Sequence, residues 1–427
     1  MSMPGFNSVS RDVRPSALLI RLSKLANVPL FVNSIEQSRE FVQRVIGLLE
    51  PQNGARQKIS TIADAAGQTS EIIFGAHLRD SRPPIWIGPT DLRYPPHACA
   101  GKIKTMNCPP FRRFVLNNGC IAKFSRFGPI IFDKNRCLVA DVSTPYAPFV
   151  QYYDWDVVQE SRHWRKVRGT AIVLMDCLWS VNYCHWFLDN LVRLCAVDRE
   201  RPYSVICSSL HYRWQRELLR LAGVPPARII ELEDFDGVIA DELIVPDNLV
   251  SLRHPVLSCH PQAFKFLQSL ILPFLGPGPW ADKSADVTLI SRRASGTRCL
   301  VDETSLCNLL TKKNISFDVV ELEDLSVVEQ LKLFWRSKAV VAVHGAGLAN
   351  AIAMASGAKV FELIPPSHFT PVYYSISGQN NLSYYAVTGL EVVGEDRRPG
   401  EQDIALGPEK AKVLVNHLLN ISNDSEA

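Results

Sequence analysis

From about residue 170 onward, short apolar runs alternate with amphipathic ones at the spacing of a parallel α/β protein. The pattern predicts strands at Thr170–Met175, Tyr203–Cys207, Arg228–Leu232 and Val238–Val245, with helices at Asn182–Val197 and Tyr212–Ala222. A Gly/Pro cluster at Pro273–Pro279 reads as a linker, after which the alternation resumes. Strands follow at Val287–Ser291 and Phe317–Leu322, helices at Glu303–Lys313 and Ser326–Ser337, and a final amphipathic helix at Pro408–Leu419. Ser326 and Glu329 stand at capping-box spacing, which marks where the second of those helices starts.

Earlier residues carry a weaker pattern. A helix is expected at Ile35–Leu49, followed by polar segments, Pro-rich stretches around Arg82–Pro84 and Tyr94–His97, and a small β-region between Phe111 and Val150. The organisation expected is an accessory segment and linker (1–105), one Rossmann-like domain (106–275), a second (280–400) with Gly389–Glu401 as a polar loop, and a C-terminal helix and tail (401–427). Two such domains would face each other across a cleft lined by the loops at the carboxyl ends of their strands.

Residues 339–364 carry the clearest chemistry. Ala339–Val343 is short, apolar and β-branched, suited to a strand buried on both faces. His344 ends it, and Gly345-Ala346-Gly347 lets a ligand approach the main chain. A helix from Leu348 to Ala355, stopped by Gly357, would turn its free N–H groups toward the loop and make an anion site. The return strand Lys359–Ile364 brings Glu362 toward the same edge.

A second cluster lies in the predicted helix at 182–197. His185, Asp189 and Arg193 follow at intervals of four and share one helical face, while Phe187, Leu191 and Leu194 form the opposite, sheet-packing face. The polar stripe is therefore expected to line a cleft or the surface. An imidazole beside a carboxylate is a pair suited to proton abstraction. Trp186 reads as core. Ser291 is followed by Arg292 and Arg293, forks that fit phosphate oxygens, of which only one is expected to reach the site because adjacent side chains at a strand end diverge.

Composition narrows the classes. The chain has 427 residues, 47% hydrophobic and 21% charged, enough for two globular domains. With 46 basic and 43 acidic residues, a formal net charge of +3 gives no polyanion-binding signature, so nucleic acid is not an expected partner. Eleven scattered cysteines without Cys-x-x-Cys spacing point to reduced thiols rather than a zinc site or disulfide framework. No signal peptide or membrane span is apparent, and the expectation is a cytoplasmic protein.

Three blocks together resemble glycosyltransferase family sixty-one, which includes bacterial capsular-polysaccharide transferases, plant xylan transferases and animal O-linked N-acetylglucosaminyltransferases. They are Asn182-Tyr-Cys-His-Trp-Phe-Leu-Asp189, then Ile290-Ser-Arg-Arg293 with Arg298 and Asp302-Glu303, and finally Glu329–Phe334 leading to Val343–Leu348 and Phe361–Pro365. The resemblance spans roughly residues 110–385. It implies a GT-B-like fold and an inverting transfer from a nucleotide-sugar, a UDP-sugar by expectation, to a glycan or lipid-linked glycan of a capsular or extracellular polysaccharide. Peripheral association with the inner face of the membrane would then follow from a lipid-linked acceptor.

On that resemblance Arg292, Arg293, His344, Gly345, Ala346 and Gly347 would hold the donor diphosphate, and Glu362 would accept hydrogen bonds from ribose or sugar hydroxyls. Either Asp189 or His185 would be the base, a choice the sequence leaves open, with Asn182 and Arg193 on the acceptor side. No cofactor is required by that chemistry. Asp302 stands where many members have Asn, and Cys184 where an aromatic is frequent. Rival readings are a metal-dependent GT-A transferase using Asp154/Asp156 or Asp234/Asp236, an epimerase or pyruvyl transferase on a similar scaffold, and a non-catalytic glycan- or nucleotide-binding protein.

Overall fold

The computed structural model describes residues 59–60, 65, 67–75, 77–80, 84–89, 105–108, 110–123, 129–139, 142, 163–175, 181–233, 236–246, 260–277, 279–280, 285–366, 370–394, 397–398 and 400–423. The helix expected at Ile35–Leu49 and the aspartates Asp154, Asp156 and Asp234 lie outside them. The fold is mixed α/β, built on two main sheets.

The second sheet is parallel throughout, in the order Phe317–Glu321, Val287–Ser291, Ala339–Val343, Lys359–Leu363, Ser383–Val387, Ile85–Ile87. The chain runs from Val287–Ser291 outward to Phe317–Glu321, then crosses back to Ala339–Val343 on the other side. The strand order therefore reverses between Val287–Ser291 and Ala339–Val343, and a crevice opens beyond their carboxyl ends. Ser291 and Val343 are those ends, so Arg292 and His344 are the first residues past the switch point.

Alternation within Ala339–Val343 explains its unbroken apolar run. Ala339, Val341 and Val343 pack with Leu306, Leu310 and Leu414 on one side of the sheet. Val340 and Ala342 pack with Leu331, Phe334, Leu348 and Ile352 on the other. Both faces are covered, as the sequence predicts. The capping box is also present: the Glu329 N–H donates to Ser326 Oγ at 3.3 Å and the Ser326 N–H to Glu329 Oε2 at 2.7 Å.

The first sheet has nine strands. Asp236–Pro246, His163–Val173, Tyr203–Ser208 and Ile229–Leu232 form its parallel part. Phe111–Lys123 pairs antiparallel with Asp236–Pro246 and with Pro129–Phe132, giving the β-region expected after Phe111.

Two features differ from the sequence reading. Gln68–Phe74 joins the first sheet and Ile85–Ile87 closes the edge of the second, although both fall in the stretch expected to be accessory. Gly389–Glu401, expected as a loop, contains the strand Glu391–Val393, paired with Asp403–Ala405. A single hydrophobic cluster also joins the sheets, running from Ile172 and Val205 through Phe187 and Leu191 to Leu348, Val340 and Val360. Among the described residues, no helix is long and apolar enough to cross a membrane.

Candidate functional site

The segment bearing His185 winds in three ways. Asn182 caps its start, accepting the His185 N–H on Oδ1 at 3.2 Å. Tyr183–His185 is α-helical, Trp186–Asn190 is π, and Leu191–Ala196 is 3₁₀. The Leu191 N–H reaches back to the Trp186 carbonyl, the i→i+5 bond of a π-turn. Residues per turn change from one stretch to the next, so the uniform stripe drawn for His185, Asp189 and Arg193 is not kept.

His185 Nδ1 lies 2.7 Å from Asp189 Oδ2, with the imidazole side chain 20% exposed and the carboxylate 1%. Arg193 is buried and donates from Nε to the Asp189 carbonyl at 3.2 Å. Asp189 and Arg193 thus sit behind the ring rather than along a cleft, and the acceptor-side expectation for Arg193 does not hold. Asn182 is half-buried and its side chain serves as the cap. Trp186 is core, as expected.

The glycine loop lies against this segment. Ala346–Ala353 forms a 3₁₀ turn where the sequence predicts an α-helix from Leu348. Its first backbone bond runs from the Leu348 N–H to the Gly345 carbonyl, and the Ala346 and Gly347 N–H groups precede it at the open end. Asn380 fixes the other end, its Nδ2 donating to the carbonyls of Ala351, Ile352 and Met354. Gly345 has extended backbone, and the need there is space: a Cβ would run into the Arg292 guanidinium. A Cβ on Gly347 would meet Leu322.

Arg292 and Arg298 converge on this loop. Arg292 is half-buried and donates from Nε to the Thr297 carbonyl at 3.1 Å. Arg298 donates from Nη1 to the His344 carbonyl at 2.8 Å. Burial pulls both guanidinium pKa values down, and the charge of Arg292 adds to the lowering at Arg298; Glu323 opposes it at Arg292. Among the described residues neither arginine forms an ion pair, and Arg298 Nε is buried without a hydrogen-bond partner. Two neighbouring, partly desolvated cations beside open N–H groups have the charge and donors to receive a multiply charged anion.

Arg293 belongs elsewhere. It turns to Glu303, 3.0 Å away, and to Thr304, so its assignment to the diphosphate is corrected. Asp302 accepts the N–H groups of Leu406 and Gly407 on its two oxygens and tethers that turn.

His344 and Glu362 are both buried and joined through Nδ1 and Oε1. The second oxygen of Glu362 accepts the Tyr384 hydroxyl at 2.5 Å. With no exposed surface and a partner on each oxygen, Glu362 holds His344 rather than meeting sugar hydroxyls, contrary to expectation. Tyr373 packs tilted on His344 at 5.2 Å. Burial, the neighbouring Cys184 and the Glu362 charge push the Tyr373 phenol far up, so it stays neutral.

The two clusters are physically joined. Tyr183 Oη donates to Asn350 Oδ1 at 2.7 Å, and Asn350 Nδ2 to Gln330 Oε1 at 2.9 Å. Cys184 is hydrogen-bonded to Tyr373. Of these residues Arg298 carries a sequence signal, standing within the second block of the resemblance. Tyr183 stands within the first block, whereas Asn350, Tyr373 and Tyr384 carry no such signal, because their partners are distant in sequence.

The family model of glycosyltransferase 61 matches residues 183–361, from the Tyr183 helix to the Lys359–Leu363 strand. That match supports membership of the family. Membership implies glycosyltransferase activity. The matched span holds His185, Asp189, Arg292, Arg298 and the glycine loop, and a glycosyltransferase needs both a sugar donor and an acceptor. No curated protein matches the chain.

Proposed function

We propose that this glycosyltransferase takes a sugar from a nucleoside diphosphate sugar, with UDP as the expected carrier, and transfers it with inversion to a glycan or lipid-linked glycan. The two sheets would act as the halves of a GT-B-like enzyme, working in the cytoplasm on capsular or extracellular polysaccharide. The observation that carries this reading is the His185–Asp189 pair, its ring partly exposed and its acid buried, bonded through Tyr183 to the turn that starts at the glycine loop.

The chemistry follows from the groups present. An ionised Asp189 accepts the Nδ1 proton of His185, which makes Nε2 the nitrogen that takes the acceptor hydroxyl proton. The freed oxygen attacks the anomeric carbon from the face opposite the diphosphate. A new glycosidic C–O bond forms, the bond to the diphosphate oxygen breaks, and its electron pair leaves with the nucleotide. Arg292, Arg298 and the N–H groups of Ala346 and Gly347 would receive that growing charge. Asp189, 1% exposed, is a positioning group in this reading, and His185 is the base.

A thermal-shift screen of the full chain against nucleoside diphosphates, with manganese and with EDTA, tests the donor site. A ligand at about 100 times its Kd stabilises the fold by about 2.7 kcal/mol. One nucleoside diphosphate is expected to raise Tm equally in both conditions. No shift from any of them would overturn the nucleotide-sugar assignment.

A further inference from the structure

We propose that Tyr212 and Trp214 form an aromatic platform that binds a sugar ring of the acceptor chain. The proposal rests on the glycosyltransferase reading above and adds a subsite to it. Its starting point is the edge of the first sheet. His163–Val173 and Tyr203–Ser208 are neighbouring parallel strands, with Val173 opposite Ile206. Their carboxyl ends therefore open on one edge, where ligands of parallel sheets bind. The chain leaving the first strand leads to His185, and the chain leaving the second leads to Tyr212.

The rings meet across that edge. Tyr212 lies flat on Trp214, with centroids 5.5 Å apart and planes 11° from parallel. Trp214 is held edge-on by Tyr183 at 5.3 Å and by Trp186 at 6.0 Å. Tyr183 and Trp186 are the residues two before and one after His185, so the platform is propped by the segment that carries the base. Trp186 is buried in the core and Trp214 packs against it, which makes the support rigid.

Tyr212 nevertheless remains 45% exposed. One face of its ring is covered by Trp214, so the exposed area includes the other. A rigid aromatic face open to solvent suits the C–H face of a pyranose, which is apolar while its hydroxyls project from the rim. His211 is exposed beside Tyr212 and offers a polar group to those hydroxyls; Arg213 on the other side is exposed too, with its Nε held by Glu217. The arginines expected for the donor come from the second sheet, whereas the platform comes from the first, on the side of the base. A sugar resting there belongs to the acceptor.

The test titrates short gluco-, galacto-, manno- and xylo-oligosaccharides into the full chain and follows tryptophan fluorescence, with Tyr212→Ala, Tyr212→Gln and Tyr212→Phe beside the wild type. At least one series should bind the wild type and Tyr212→Phe, and bind the Ala and Gln variants at least about tenfold more weakly. Tyr212→Gln keeps bulk and polarity without an aromatic face, so its loss cannot come from a collapsed side chain. The nucleoside diphosphate thermal shift should be the same in all four proteins. Equal oligosaccharide affinity in all four, or a wild type that binds none of the series, would overturn the platform. Absence of the nucleotide shift in the wild type is a separate result and bears on the donor reading alone.

Discussion

Tyr183 and Asn350 stand 167 positions apart in sequence and share a hydrogen bond of 2.7 Å. Tyr183 precedes His185 by two residues, and Asn350 lies in the 3₁₀ turn that begins at the glycine loop. The bond ties the proposed base to the proposed donor loop. Asn350 is fully buried and Gln330 takes its other end, so the link is held on both sides. Tyr183→Phe should therefore lower kcat by a few-fold to about tenfold, the scale of a net hydrogen bond of about 1 kcal/mol, with little change in nucleotide affinity. An unchanged kcat in steady-state transfer would show that the link does not position the base.

His185→Ala should reduce transfer by about 10²–10⁴-fold, the usual contribution of a positioned general base. Asp189→Asn should also reduce it, since the amide cannot hold the ring as the carboxylate does. Both variants should keep the nucleoside diphosphate thermal shift. Loss of that shift together with transfer would assign the pair to donor binding instead.

Arg292→Ala and Arg298→Ala should each weaken nucleoside diphosphate binding by about 1.5–3 kcal/mol, the range for hydrogen bonds to charged groups. Arg293→Ala should leave it unchanged, because that guanidinium is engaged by Glu303. Calorimetric titration of the three variants separates them. An equal effect at Arg292 and Arg293 would contradict the divergence of the two side chains.

Gly345→Ala should weaken nucleotide binding by up to about 1.5–3 kcal/mol, as loss of the Arg292 contact does, while the protein still folds. The backbone there is extended, with φ of −173°, so alanine meets no conformational penalty, only the Arg292 guanidinium. Retained affinity in the titration would mean that Arg292 moves aside without cost.

Cys207 lies within the first sheet, and burial pushes its thiol up to about 12. An unfolded thiol titrates near about 8.5. Between those values the unfolded chain has released a proton that the folded chain still binds, so stability is complete below the window and falls as pH rises through it. Urea midpoints should drop between about pH 8 and pH 11, and Cys207→Ala should make the drop shallower. The slope is the readout, since the variant also leaves a small cavity.

The local parts of this protein were legible in its sequence. Alternating apolar runs determined the strands from Val287–Ser291 to Lys359–Leu363, the Ser326/Glu329 spacing determined a helix start, and the ordered blocks around His185, Arg292 and His344 pointed to the family. Each of these is set by neighbours within a few residues, where periodicity and capping act. Tertiary structure decided the rest. Ile85–Ile87 became an edge strand by pairing with Ser383–Val387, nearly three hundred residues on. Asp189 and Arg193 were buried because the helix changes its winding under a shared core, and Arg293 was drawn off by Glu303. Glu362 was closed off by Tyr384 and His344, and Tyr212 was left open beside His185's own segment. Which polar side chains face a ligand and which support another residue depends on contacts made only when distant segments pack, and no local pattern encodes that choice.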